Sequence, residues 1–276
     1  MGLTRVQTKI KKKMRGVLRL RLRATAGTRL LRRSTSTSAA ATPASLETFN
    51  SAEEHLDHLA TISTMPEGWS TATTSFSFNP RELPTLDASM TLTMLSLDDP
   101  KGTAAWAAMF TKNAFPGSPV VVGREMLATK GSRVRGIIAN NKISNVFPGG
   151  SEGTSSGVNN AKKVAAAALE ALRGVESGSG GNSESSESSV AFLPSSTGVI
   201  GWRIPADEMI DEMPLLVSQL QTADGALPAA QGIMTTDLYP KVRGVDIQCA
   251  NGQVGRLVGV AKVKKKYIFS SHFYFF

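Results

Sequence analysis

The sequence predicts a mixed α/β protein. Three observations carry that reading. Residues 90–95 (Met-Thr-Leu-Thr-Met-Leu) alternate with the two-residue period of a half-buried strand. Residues 161–173 are alanine-rich and end at Gly174, a common helix stop. Residues 190–193 (Val-Ala-Phe-Leu) are a short apolar run with the length of a buried strand. A chain of 276 residues can bury a sizeable core, as one large domain or two small ones.

The elements follow in order. Residues 1–46 carry no acid, are rich in Arg, Lys, Ser, Thr and Ala, and mix apolar with cationic side chains at 17–23. That composition predicts an organelle transit peptide, mostly mitochondrial; a basic nucleic-acid-binding arm is the bland alternative. Residues 47–62 predict a helix, with Leu56, Leu59 and Ile62 at helical spacing, broken at Pro66-Glu67-Gly68-Trp69. Residues 75–97 read as strand, 104–110 as a second apolar segment, and Pro119-Val120-Val121-Val122 as a buried strand. Residues 135–139 predict another strand. Residues 177–189, almost wholly Ser, Gly, Glu and Asn, read as a flexible insertion. A helix over 205–221 and a strand over 256–260 complete the series.

Composition excludes several functions. The net charge of +9 resides in the ends: residues 34–261 hold 15 basic against 22 acidic side chains. A nucleic-acid-binding fold is usually basic itself, so no nucleic-acid partner is expected. One cysteine, Cys249, rules out an internal disulfide and a cysteine-based zinc site. His55 and His58 lie at i, i+3 spacing, which favours a solvated helix face over a metal site, because no third ligand is evident. No apolar run reaches membrane-spanning length, so no membrane partner is expected.

Two short runs carry the chemistry. Ser196-Thr197-Gly198-Val199-Ile200-Gly201 follows the strand at 190–193, and a Thr-Gly step there can set a hydroxyl beside a bare backbone N–H. Such a pair makes an oxyanion hole, two donors aimed where negative charge develops in acyl transfer. Taken alone, Ser-Thr-Gly is a turn. Ile233-Met234-Thr235-Thr236-Asp237 then places paired threonines beside an acid, ahead of Tyr239-Pro240-Lys241.

These runs, in this order, resemble the ornithine acetyltransferase (glutamate N-acetyltransferase) family of arginine biosynthesis, across residues 65–262 or so. Three further stations agree: Phe110 to Val120 with Arg124-Glu125; Arg135 to Asn145, where a serine is usual at Asn141; and Gly255-Arg256-Leu257-Val258-Gly259-Val260-Ala261-Lys262. The resemblance implies a four-layered αββα sandwich like that of N-terminal nucleophile hydrolases. It implies a precursor that cuts itself at an Ala-Thr bond, and a freed threonine that takes acetyl from N-acetylornithine, or acetyl-CoA in many members, and passes it to glutamate. A complete enzyme would pair this alpha-chain part with a beta chain as a heterotetramer of two alpha and two beta chains, in the mitochondrial matrix, with no permanently bound cofactor. Carried over by position, Thr197 and Gly198 match the oxyanion hole. Thr236, with Thr235 beside it, matches the substrate-contacting threonine, and Lys262 the lysine on the substrate's carboxylate side.

After Lys262 the pattern departs. The family's Gly-x-Gly-Met-Ile motif and Ala-Thr bond are replaced by a lysine run and aromatics over 263–276, and no threonine follows Thr236. The tail reads as intron or frameshift product, with a membrane-touching or partner-docking tail as the alternative. Two functions stay open: an acetyltransferase part that lacks its nucleophile, or a catalytically dead, non-catalytic interaction subunit. An N-terminal-threonine or -serine aminopeptidase of similar fold fits the Met-Thr-Thr-Asp run less well.

Overall fold

Ser51 starts the first helix: its hydroxyl accepts the Glu54 N–H at 3.0 Å, and α1 (Ala52–Ile62) follows. The cap satisfies one of the donors that a helix start leaves open. Asn50 is held outside the helix by its own bonds to the Glu54 carboxylate, so α1 begins later than residue 47. The computed structural model describes residues 48–149, 153–177, 190–263 and 270–275. The transit-peptide segment 1–46, residues 178–189 of the expected insertion and tail residues 264–269 and 276 lie outside them.

The stretch expected as strand from 75 to 97 is a hairpin, β1 (Trp69–Phe78) antiparallel to β2 (Ala88–Leu97). β3 (Arg133–Asn140) pairs antiparallel with β2, and β4 (Val190–Ser196) pairs parallel with β3. A parallel neighbour requires a crossover. It runs through α3 (Gly153–Ser177), which packs on β4. The register sets Asn140 opposite Leu92 on one side and Ser196 on the other. Gly136 is needed on β3, because a Cβ there would meet the Leu95 carbonyl oxygen at 2.1 Å and the Phe192 ring at 2.8 Å. A second sheet holds β5 (Val242–Gln248), β6 (Val254–Val263) and β7 (Ser270–Phe275), all antiparallel, in that order.

One face of the first sheet buries Met90, Leu92, Met94 and Phe192 against Val164, Ala168 and Leu172 of α3. It also meets two short helices, α4 (Ala206–Asp211) and α5 (Met213–Ser218). The other face sets Leu95, Ile137 and Ala139 against Val242, Val258 and Val260 of the second sheet. Leu59 of α1 and the alanines of α6 (Leu227–Gly232) fill the same layer. Helices, sheet and sheet are thus stacked in the order expected of an α/β sandwich.

Three expectations are corrected. Pro119 to Val122 is not a strand but the opening of α2 (Ser118–Ala128). Pro119 stands in the first turn, where its missing N–H costs nothing, and packing of Val122 and Gly123 overrides the strand preference of valine. α3 does not stop at Gly174 but runs to Ser177. The buried Arg135 guanidinium binds Glu176 and the Leu97 carbonyl, which ties the last turn of α3 to the sheet. The helix expected over 205–221 breaks into α4 and α5 at Glu212, since Pro214 cannot donate to the ladder. Residues 104–110 form no regular element. Three elements escaped the sequence reading altogether: α6, β5 and β7.

His55 and His58 do not form a solvated face. Both are half-buried against Phe49, with ring centroids 4.7 and 5.2 Å away, and Tyr239 meets His55 edge-on at 5.4 Å. Among the described residues no group of three His, Cys, Asp or Glu side chains could hold a metal, and no helix is long and apolar enough to cross a membrane.

Candidate active site

The site is organised by the loop that leaves β3. Its backbone is strained: Lys142, Asn145 and Phe147 all take positive φ, at 69°, 51° and 50°. Non-glycine residues there cost about 1–3 kcal/mol each and persist only when their surroundings hold them, which is common at functional sites. The surroundings are Asn140 and Asn141. Asn140 accepts the Ser196 hydroxyl at 2.6 Å, and its amide group donates to the carbonyls of Asn141 and Ile143. Asn141 accepts the Thr91 N–H at 2.7 Å and donates to the Met234 carbonyl at 3.1 Å. Two consecutive asparagines therefore tie the two chemistry-bearing runs, one at each end, to the strand end. A serine at Asn141 is too short to span from β2 to Met234.

Thr197 and Gly198 lie just past β4. The Thr197 N–H donates to the Asn140 carbonyl at 3.0 Å, and the half-buried Thr197 hydroxyl makes no hydrogen bond among the described residues. Gly198 is buried with φ +140°, and a Cβ there would sit 2.0 Å from the Lys142 carbonyl oxygen. The loops on either side are laced together: Val199 N–H to Lys142 carbonyl at 2.8 Å, Ser144 N–H to Val199 carbonyl at 2.9 Å, and Gly201 N–H to Val146 carbonyl at 3.0 Å. The Thr-Gly step is thus a fixed element of a rigid double loop.

Lys262, at the end of β6, is not a surface lysine. Its side chain is 6 % exposed, and its ammonium donates to the Thr235 hydroxyl at 2.8 Å and to Asp237 Oδ2. Lys241 donates to Asp237 Oδ1 at 2.7 Å, and the Thr235 N–H donates to Oδ2 at 3.2 Å. The geometry so joins Thr235 to Lys262, whereas Thr236 is exposed and makes no hydrogen bond among the described residues. Asp237 and Lys241 were read in sequence only as neighbours of the threonines. An acid four residues before a lysine was the available signal.

Burial pushes the Asp237 carboxyl up. Donation from Lys241, Lys262 and the Thr235 N–H outweighs it, so the net shift is downward. A depressed folded value means that the acid contributes stability above the ordinary carboxylate range, near 4. That contribution is lost as pH falls through the folded value. Wild-type stability should therefore drop on acidification below about pH 4 more steeply than that of Asp237→Asn. Urea midpoints at neutral and acid pH compare the two; parallel pH profiles would contradict it.

The double loop at the ends of β3 and β4 is thus joined through Asn141 to the run Met234-Thr235, whose Thr235 hydroxyl meets the buried Lys262–Asp237 pair at the end of β6. The ArgJ family model matches residues 88–263, and this chain belongs to the ArgJ family. It is 29% identical over 197 residues to the arginine biosynthesis bifunctional protein ArgJ of Chlorobaculum tepidum, with 71% of this chain and 41% of that protein covered. It is 36% identical over 177 residues to the mitochondrial ArgJ protein of Schizosaccharomyces japonicus, covering 62% of this chain and 36% of that one. The mitochondrial ArgJ protein of Neurospora crassa is 30% identical, covering 74% and 39%. The chain thus spans about two fifths of the length of these relatives.

The fold is that of solved ArgJ proteins. The crystal structure of the Bacillus halodurans protein superposes with a TM-score of 0.55 at 23% identity, covering 77% of this chain and 95% of that one. Ornithine acetyltransferase from Mycobacterium tuberculosis, solved with ornithine, gives 0.52 at 24%, covering 77% and 96%.

Proposed function

We propose that this chain supplies the oxyanion hole and part of the substrate pocket of an ornithine acetyltransferase in arginine biosynthesis. The observation that supports this most is the anchoring of Ser196-Thr197-Gly198 and Met234-Thr235 to Asn140 and Asn141. In this reading a threonine hydroxyl attacks the acetyl carbonyl of N-acetylornithine, and its proton passes to a nearby amine. The Thr197 hydroxyl and the Gly198 N–H stabilise the oxyanion, and acetyl-threonine forms as ornithine leaves. Glutamate then takes the acetyl group by the reverse steps, and acetyl-CoA serves as an alternative donor. Thr235, Thr236 and Lys262 hold the amino-acid part of the substrate. The nucleophile comes from the C-terminal chain of the family, which joins as the beta part of an α2β2 heterotetramer. No cofactor is held permanently.

The test is a chimera in which Lys262 is followed by the C-terminal part of the Neurospora relative. It should move acetyl from N-acetylornithine to glutamate, and a folded chimera with no transfer would contradict the proposal. A second reading, a non-catalytic interaction subunit, draws on the exposed apolar side chains of Phe147 (65 %), Ile200 (61 %) and Leu238 (71 %). For address, several fungal relatives carry mitochondrial names. Residues 1–46 fused to a fluorescent protein should direct it to the mitochondrial matrix, and diffuse cytosolic fluorescence would contradict that.

A further inference from the structure

We propose that Asp237 is the positioning residue of this site and that Lys241 is its second cation, taking the carboxylate of an amino-acid substrate. The inference rests on the acetyltransferase reading and deepens it. The Asp237 side chain is 2 % exposed, and both its oxygens are engaged: Oδ1 by Lys241, Oδ2 by Lys262 and the Thr235 N–H. Among the described residues it is the one group that links the 233–241 loop to the end of β6 by charge.

Asp237 holds the Lys262 ammonium aimed at the Thr235 hydroxyl, 2.8 Å away. One acid between two lysines leaves one net positive charge, enough for one carboxylate. The two lysines are not equivalent. Lys262 is 6 % exposed, with two of its three N–H bonds committed to Asp237 and Thr235. Lys241 is 40 % exposed, and its other partner is the Tyr239 carbonyl at 3.2 Å, the weaker of its two bonds. Its flexible stem can turn a donor outward without uncovering the Asp237 charge, which Lys262 still neutralises. An incoming carboxylate therefore meets the more exposed Lys241 first, with Lys262 buried behind it.

The experiment measures binding of N-acetyl-L-ornithine and of N-acetylputrescine, the same molecule without its carboxylate, to the full 276-residue chain. Wild type should prefer N-acetylornithine by about tenfold or more, the scale of one charge-assisted bond. Lys241→Met should collapse that preference while leaving N-acetylputrescine affinity unchanged, and Lys241→Arg should keep most of it. Equal weakening of both ligands, or an intact preference in Lys241→Met, would overturn the second-cation claim. If wild type binds neither ligand, that claim falls together with the substrate reading. The positioning claim is read separately, from the ¹⁵N side-chain signals of Lys241 and Lys262. Asp237→Asn should shift both, and Lys241→Met should leave that of Lys262 in place. An unmoved Lys262 signal in Asp237→Asn would overturn it, whatever the ligands do.

Discussion

Gly198→Ala should destabilise the chain by roughly 3 kcal/mol and lower its melting temperature by about 10 °C. The added methyl would meet the Lys142 carbonyl oxygen at 2.0 Å and the Ile143 nitrogen at 2.6 Å, both backbone atoms that cannot swing aside. Gly198 also sits at φ +140°, a region that side-chain-bearing residues rarely adopt. The neighbouring loop has no slack to give. Lys142 is itself at positive φ, and its carbonyl accepts the Val199 N–H. Relief therefore has to break the lacing between the two loops, and in the chimera acetyl transfer should fall with it. Thermal denaturation of the two forms measures the effect. An unchanged melting temperature would mean that the double loop is not the rigid element described.

Thr197→Ala in the chimera should lower kcat about 100- to 1000-fold, the usual effect of removing one oxyanion donor. KM should change far less, because the donor acts on charge that develops only in the transition state. Stability should also hold. The Thr197 bond that supports the fold is from its backbone N–H to Asn140, which alanine retains, and its half-buried hydroxyl makes no hydrogen bond among the described residues. The pair of variants thus separates scaffold from chemistry within two adjacent residues. Steady-state kinetics at several N-acetylornithine concentrations decides it, and an unchanged kcat would reduce Thr197 to a turn residue.

How much of this was legible in the sequence depends on which forces set each element. The strands at 135–139 and 190–193 were readable because their apolar residues face two buried layers, so the run itself is the signal. Pro119-Val120-Val121-Val122 was misread because four apolar residues fit either period. Only the packing of the whole α2 segment settles it, including Phe110, whose ring would lie 2.4 Å from a Cβ on Gly123. Gly174 is no stop because nothing crowds that turn, and the Arg135–Glu176 pair, invisible locally, carries the helix past it.

The site divides the same way. Thr197, Gly198, Thr235 and Lys262 carry local motifs and could be named. The work of Asn140 and Asn141 is to join segments 50 to 100 residues apart, as in the Thr91 to Asn141 and Asn141 to Met234 bonds. No short pattern records a bond of that reach.

On the proposed reading, this chain carries the donors and cations of an acetyltransferase site but not its nucleophile. The most direct measurement is acetyl transfer from N-acetylornithine to glutamate by purified residues 41–276 alone. None should occur, since no threonine follows Thr236 in the 276 residues, and the C-terminal chain of a close relative, added in trans, should restore weak transfer. Measurable turnover by the isolated chain would contradict the account and would move the nucleophile to a residue such as Ser270 or His272.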